Sequence, residues 1–222
     1  MKKAPAFLPT LLSWLITLLV PVALTLSAVR LMLTPLYIQW EYNLPNFPAD
    51  RYGFTKQDRL YWGNITRQYL LNSDGISFLA DLRFPDGQPV YNERELRHMV
   101  DVKVTLSRTL QVWITSLVLL LGLGIWAWYD AWWQDFTRGV RRGAWVTVGL
   151  LVAILVFVLF LFEPFFIAFH NVFFDPGTWM FLWSDTLIRL FPEKFWQDIF
   201  ILVGGLSLGG ALALIVLLRP SK

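Results

Sequence analysis

Residues 109–129 read TLQVWITSLVLLLGLGIWAWY, a run without a single charged side chain. A helix rises 1.5 Å per residue, so an apolar run of about 20 residues can cross the hydrocarbon core of a bilayer. Three more uncharged runs occur at residues 4–29, 143–162 and 199–218. The pattern predicts an α-helical integral membrane protein with four transmembrane helices and a mainly helical extracytoplasmic domain.

The composition supports this class and excludes others. Of the 222 residues, 56% are hydrophobic and 16% are charged, whereas roughly 25% are charged in a typical soluble domain. The net charge of +3 is small, and the basic residues form no stripe that would bind nucleic acid. A soluble enzyme, a disordered chain and a nucleic-acid-binding domain are therefore excluded. The chain has no cysteine, so a thiol nucleophile and a cysteine-ligated metal are excluded too.

The basic residues of the short polar segments predict the topology, because Lys and Arg concentrate in cytoplasmic loops. Three segments that share one side of a four-helix topology are all basic. These basic residues are Lys2, Lys3, Arg138, Arg141, Arg142, Arg219 and Lys222. The first run is too long for an ordinary signal peptide, so it is expected to remain as an anchor.

The resulting organisation alternates across the membrane. It comprises a cytoplasmic N-terminus with the first span (1–33), an extracytoplasmic domain (34–107), the second span (108–133), a cytoplasmic loop (134–143), the third span (144–168), an extracytoplasmic or interfacial loop (169–197), and the fourth span with a cytoplasmic C-terminus (198–222).

Local signals predict helix boundaries in the two outer segments. Thr55 with Asp58, and Asn92 with Glu95, have the spacing of capping boxes. No Gly or Pro interrupts the chain between Asn92 and Gly122, so one helix is expected to run from the outer segment into the second span. Pro164 is expected to interrupt the end of the third span, because proline removes a helical hydrogen bond.

The chain contains two histidines, His98 and His170, and both fall in outer segments next to a membrane boundary. Histidine titrates near neutral pH, so the two imidazoles are candidates for a general acid–base pair. Asp101 lies on the same helical face as His98 and is a candidate to orient it. Two plainer interpretations stay open: amphipathic interfacial histidines, and ion pairs of Asp101 with Arg94, Arg97 or Lys103.

Other chemistries have weaker support. Ser107 and Ser184 lie outside but in no Gly-x-Ser-x-Gly elbow. His98, Asp101, His170 and Asp175 make a conceivable metal-ligand set, but no His-Glu-x-x-His motif exists. No nucleotide-binding motif is present, and the spans lack the polar residues of a transporter. Neither a metal nor another cofactor is expected.

Two stretches resemble the motifs of a known family. The first stretch is residues 92–103, NERELRHMVDVK. The second is residues 169–174, FHNVFF, followed by Trp179 and by LFPEKFW at 190–196. They are similar to the two motifs of the bacterial lipoprotein intramolecular transacylases. Tyr42-Asn43, the length and the four spans also match. The resemblance covers nearly the whole chain.

The resemblance implies an intramolecular acyl transfer. Members of this family act on lipoproteins whose N-terminal cysteine carries a diacylglyceryl group. They move the sn-2 acyl chain to the free α-amine of that cysteine and leave a lyso-form lipoprotein. The implied location is the bacterial cytoplasmic membrane, with the active site on the extracytoplasmic side. The implied partners are diacylglyceryl-modified lipoproteins and membrane lipid, with no nucleic acid.

In this reaction His98, oriented by Asp101, is expected to be the base, and His170 the acid or an oxyanion donor; the reverse assignment stays open. Glu163 and Asp185 are candidate partners of His170. The candidate substrate-binding residues are Tyr42, Asn43, Glu163, Phe173, Phe174, Trp179 and Asp185. Two alternative functions remain: a membrane lipid or lipoprotein ester hydrolase, and a non-catalytic membrane scaffold.

Overall fold

The computed structural model describes residues 7–219, so the predicted basic tails at 1–6 and 220–222 lie outside the described residues. The described chain is helical, apart from turns and one isolated bridge between Arg83 and Pro89. Its helices are α1 (Phe7–Met32), α2 (Pro35–Glu41), α3 (Lys56–Leu71), α4 (Ser77–Ala80), α5 (Glu93–Tyr129), α6 (Trp133–Phe160), α7 (Phe162–Phe173), α8 (Thr186–Leu190) and α9 (Glu193–Leu217).

Four of these helices are long and apolar enough to cross a membrane: α1, α5, α6 and α9. The prediction of a four-span helical membrane protein is therefore confirmed. Helix α5 has 37 residues and begins directly after Asn92, as expected for a helix that continues from the outer segment into the second span. The predicted loop 134–143 is helical instead, because α6 already begins at Trp133. Arginine is a good helix former, so the basic residues there do not stop the helix.

The chain divides into two compact units. The span unit holds the described residues up to 30, residues 109–160 and the described residues from 201 onward. The site unit holds residues 31–108 and 161–200.

Small residues bring helices of the span unit close together. A Cβ atom added to Gly143 would lie 2.7 Å from the Cβ of Val20, and one added to Gly204 would lie 2.6 Å from a methyl group of Leu155. Close helix contact through glycine is common in membrane proteins, where packing contacts replace the hydrophobic effect. At Gly205 and Gly209, also in α9, an added Cβ would meet nothing within 4 Å, so close contact involves only some of the glycines of this helix.

The site unit has its own hydrophobic core, in which α3, α5 and α8 meet. The buried members of this core are Trp62, Tyr69, Leu79, Val90, Tyr91, Met99, Leu187 and Leu190. Both predicted capping boxes are present: Thr55 exchanges hydrogen bonds with Asp58, and the Asn92 side chain accepts from the Glu95 backbone N–H while Glu95 accepts from that of Asn92. These caps fix where α3 and α5 begin.

A break at Leu161 separates α6 from α7. Pro164 lies in the first turn of α7, and its ring would clash with the carbonyl of residue 160 if the helix continued. Helix α6 therefore ends at Phe160, and α7 begins at Phe162. The second histidine lies near the end of α7.

Candidate functional site

The structure brings the two histidines together. The ring centroids of His98 and His170 are 6.4 Å apart, and their planes are inclined by 24°. His98 lies in the second turn of α5, and His170 lies in the last turn of α7. Each residue is only 8% exposed. Two facing imidazoles in a largely buried setting are suited to moving protons between the groups of one bound molecule.

Aromatic side chains enclose both imidazoles. The His98 ring lies 5.0 Å from Phe174 and 5.3 Å from Phe181. The His170 ring lies 4.0 Å from Phe166 and 4.7 Å from Trp179. We call these four side chains the aromatic box. The box limits water around the histidines and surrounds them with apolar surface.

One nitrogen of His170 is held by the backbone of its own helix. Its Nδ1 lies 2.8 Å from the carbonyl oxygen of Phe166, one turn earlier. A carbonyl only accepts, so Nδ1 carries a proton and donates it. In the neutral ring Nε2 is then the unprotonated nitrogen. Burial lowers the pKa of His170, while the bond to Phe166 opposes that shift. The neutral form, with Nε2 ready to accept a proton, is therefore favoured at neutral pH.

His98 has a different environment. Its Nδ1 is buried and has no hydrogen-bond partner in the part of the chain that the structure describes. Asp101 is exposed, and no hydrogen bond joins its carboxylate to His98 among the described residues. Among the described residues, Asp101 forms no ion pair with Arg94, Arg97 or Lys103. Arg94 pairs with Asp185 instead, and the Lys103 ammonium donates to Asn72. The orienting role of Asp101 stays a prediction.

Asp185 fastens the aromatic box to the start of α5. Its carboxylate accepts hydrogen bonds from the Arg94 guanidinium at 2.9 Å, the Asn92 amide at 3.0 Å and the Leu182 backbone N–H at 2.8 Å. Leu182 directly follows Phe181, which packs on His98. Asp185 therefore ties the loop that carries Phe181 to the helix that carries His98. Among the described residues, no hydrogen bond or ion pair joins Asp185 to His170.

The other candidate substrate-binding residues divide into two groups. Phe174 and Trp179 belong to the aromatic box, and Phe173 packs next to them against Phe169. Tyr42 is buried elsewhere, where its hydroxyl donates to the Leu190 carbonyl at 2.7 Å. Asn43 and Glu163 are exposed. No ring contact or hydrogen bond joins Tyr42, Asn43 or Glu163 to either imidazole among the described residues.

Sequence reasoning did not single out Phe166 as a partner of His170 or Phe181 as a partner of His98. Phe166 lies four residues before His170, and this helical spacing is a signal that could have revealed the contact. Phe181 lies in a loop, and no spacing rule relates it to His98. Its position depends on the long-range bonds of Asp185.

A separate buried polar group lies in the site unit. Both carboxylate oxygens of Glu41 are buried, and neither has a hydrogen-bond partner within residues 7–219. Burial, together with the neighbouring Asp198 carboxylate, raises the pKa of Glu41 to about 7. The nearby Tyr37 hydroxyl donates instead to the Phe195 carbonyl at 2.9 Å. No hydrogen bond joins Glu41 to either imidazole among the described residues, so Glu41 is not assigned to the histidine site.

No group of three or more His, Cys, Asp or Glu side chains within residues 7–219 is arranged to hold a metal ion. The conceivable set of His98, Asp101, His170 and Asp175 therefore does not converge on one point. The chemistry available at the site is that of two imidazoles, an indole and aromatic surface.

Comparisons with known proteins agree with this architecture. The family model described as lipoprotein intramolecular transacylase Lit matches residues 11–196. An uncharacterized protein from Aquifex aeolicus (strain VF5) is 34% identical over 191 residues, covering 85% of this chain and 84% of the relative. A structure of the membrane-integral transacylase Lit from Bacillus cereus superposes with a TM-score of 0.71 at 24% identity, covering 93% of this chain and 94% of that one.

A variant of the Bacillus cereus protein, in which one histidine is replaced by alanine, gives a TM-score of 0.65 at 23% identity, covering 94% of this chain and 92% of that one. These structural matches show a shared fold, and the family model covers most of the sequence. The chain belongs to the family of lipoprotein intramolecular transacylases.

Proposed function

We propose that this protein moves the sn-2 acyl chain of a diacylglyceryl-modified lipoprotein to the α-amine of its N-terminal cysteine. The product is a lyso-form lipoprotein. The observation that carries the proposal is the pair of buried imidazoles, 6.4 Å apart, inside an aromatic box. Membership of the transacylase family supports acyl transfer on a lipoprotein.

The reaction needs no nucleophile from the enzyme. The attacking amine and the ester belong to the same substrate, so catalysis requires the two groups to be held in a reactive orientation. Phe174 and Phe181 on one imidazole, and Phe166 and Trp179 on the other, offer apolar surface on which the diacylglyceryl group can be held. The absence of cysteine from the sequence is compatible with this route.

Proton balance explains why two bases are useful. The substrate α-amine has an ordinary pKa near 7.7–8.0, so it arrives largely as an ammonium ion. Conversion of an ammonium to an amide releases two protons, and the departing glycerol oxygen takes up one. Two neutral imidazoles accept the two protons, and one of them then protonates the glycerol oxygen. The other releases its proton to solvent, which restores both rings.

The structure favours His170 as the base during attack. Its Nδ1–H is held by the Phe166 carbonyl at 2.8 Å, which leaves Nε2 as the acceptor. In this assignment His98 takes the first proton from the ammonium and passes it to the glycerol oxygen. The assignment is the reverse of the one first expected from the sequence, in which His98 was the base and His170 the acid.

The experiment uses the purified protein in lipid nanodiscs with a synthetic diacylglyceryl lipopeptide that carries a deuterated sn-2 chain. Transacylation leaves the total mass unchanged and places the deuterated chain on the α-amine, which tandem mass spectrometry detects. Loss of the deuterated chain as a free fatty acid would identify a hydrolase and contradict the proposal. A lipopeptide with an acetylated α-amine is the matched control, because it blocks transacylation but not hydrolysis.

A further inference from the structure

The indole N–H of Trp179 is a buried donor that has no partner among residues 7–219. Its Nε1 makes no hydrogen bond there, although most buried polar groups in proteins are paired. Trp196, also in the site unit, satisfies the rule, because its Nε1 donates to the Phe191 carbonyl at 3.1 Å. An unpaired buried donor in a native structure needs an explanation, and a bound ligand is one that supplies the missing acceptor.

The position of Trp179 indicates which ligand atom accepts the hydrogen bond from its indole N–H. Its ring lies 4.7 Å from the ring of His170, the proposed base. The ring of His98, 6.4 Å from that of His170, also carries a buried nitrogen that has no partner among the described residues. Two rings next to the imidazole that accepts the proton during attack therefore each have an unpaired nitrogen. A substrate with several polar atoms around one reacting carbon would satisfy both.

Backbone donors near the site are already used. The N–H of Phe174 donates to the His170 carbonyl at 2.8 Å, and that of Leu182 donates to Asp185 at 2.8 Å. The N–H of Thr178 donates to the Asp175 carbonyl at 3.2 Å. Among these neighbours, the indole N–H is the donor that remains available for the reacting group.

We propose that the Trp179 N–H donates to the carbonyl oxygen of the sn-2 ester and stabilises the oxyanion formed during transfer. This inference rests on the proposed transacylase function. As the amine nitrogen bonds to the ester carbon, the π electron pair of the carbonyl moves onto its oxygen. The pair returns when the carbon–oxygen bond to glycerol breaks. A donor aimed at that oxygen lowers the barrier, because the hydrogen bond strengthens as charge develops.

The test replaces Trp179 with β-(3-benzothienyl)alanine, in which sulfur substitutes for the N–H in a bicycle of nearly the same shape. The same replacement at Trp183 is the matched control, because Trp183 lies in the same loop and is 72% exposed. Loss of one oxyanion donor typically costs about 10² to 10³ in kcat. We expect a loss of that size at position 179 with KM changed less than about threefold, and no change at position 183.

Failure of the proposed function and failure of the oxyanion role give different results. If the unmodified protein forms no N-acyl product, the proposed function itself fails. If that protein is active and the Trp179 variant keeps kcat within about threefold, the oxyanion role is wrong. It is also wrong if the variant raises only KM.

A second measurement tests the inference even if the variant at position 179 does not fold. In the unmodified protein with ¹⁵N-labelled tryptophan, the Trp179 indole proton should shift downfield when an analogue with an amide at sn-2 binds. Binding without that shift would overturn the inference.

Discussion

Replacing His170 with asparagine tests the roles of the two ring nitrogens separately. An asparagine amide can place an N–H near the position of Nδ1 and keep the bond to the Phe166 carbonyl, which is 2.8 Å long in the structure. It has no group at the position of Nε2 that accepts a proton at neutral pH. The substitution therefore removes the proposed base and keeps the anchoring bond on α7.

The expected loss follows from the role of a positioned base, about 10² to 10⁴ in rate. This range corresponds to about 2.7–5.4 kcal/mol of transition-state stabilisation at 1.36 kcal/mol per decade. The upper half of the range is expected, because His170 is buried among aromatic rings that leave little room for a water to act as a substitute base.

The assay is single-turnover acyl migration, followed by mass spectrometry with the deuterated lipopeptide. Asn171→Ala, an exposed neighbour on the same helix, is the control for expression and folding. The melting temperature of His170→Asn should stay close to that of the unsubstituted protein, because the bond to Phe166 is kept. If a folded His170→Asn protein retains more than about a tenth of the rate, His170 is not the base.

Three further predictions address the electrostatics, the loop and the topology. The rate should fall as the pH decreases, with a midpoint below 6.5. The reason is that burial lowers the pKa of His170 from that ordinary value and that the neutral ring is the proposed active form. A pH–kcat profile with its acid midpoint at or above 6.5 would contradict this. Asp185→Ala should lower kcat about threefold to thirtyfold but the free energy of unfolding by only about 1 kcal/mol, because the pair with Arg94 is partly exposed while the loop it holds carries Phe181; unchanged kcat in a folded variant would refute the positioning role. Because the chain has no cysteine, a cysteine placed at Asp74 should react with an impermeant thiol reagent applied from outside the cytoplasmic membrane and one at Arg138 should not, and the opposite labelling would invert the topology.

The features that sequence predicted well depend on neighbours along the chain. The starts of α3 and α5 follow from capping boxes, whose partners are three residues apart. The break before α7 follows from Pro164, which acts within one helical turn. The four membrane helices follow from uncharged runs. Each of these signals is local, so a single sequence contains it.

The features that sequence did not predict depend on distant contacts. Glu95 closes its capping box as expected, but it also accepts a hydrogen bond from the Leu187 backbone N–H at 2.7 Å, across 92 positions of sequence. That bond and the bonds of Asp185 bring the loop with Phe181 to His98. No periodicity relates two such segments, so the aromatic box could not be assembled from the sequence.

The case of Asp101 shows the limit of spacing rules. Three residues along a helix turn the direction by about 300°, so residues i and i+3 lie about 60° apart around the axis. His98 points into the core of the site unit, and 60° is enough to leave Asp101 exposed. The spacing correctly indicates neighbouring positions on α5, but burial of one residue does not extend to the other.

The partner that anchors His170 is a main-chain carbonyl, and this has a consequence for genetics. In many hydrolases a carboxylate side chain holds the histidine, so a mutational scan reveals it. Here every residue type at position 166 supplies the same carbonyl, so a complete scan of point mutations will leave the anchor unseen. Chemical synthesis reaches it: an α-hydroxy acid in place of Ile167 turns the Phe166 carbonyl into an ester carbonyl, which is a weaker acceptor. Selection can therefore vary the side chain at position 166 without removing the carbonyl that keeps a proton on Nδ1 of His170.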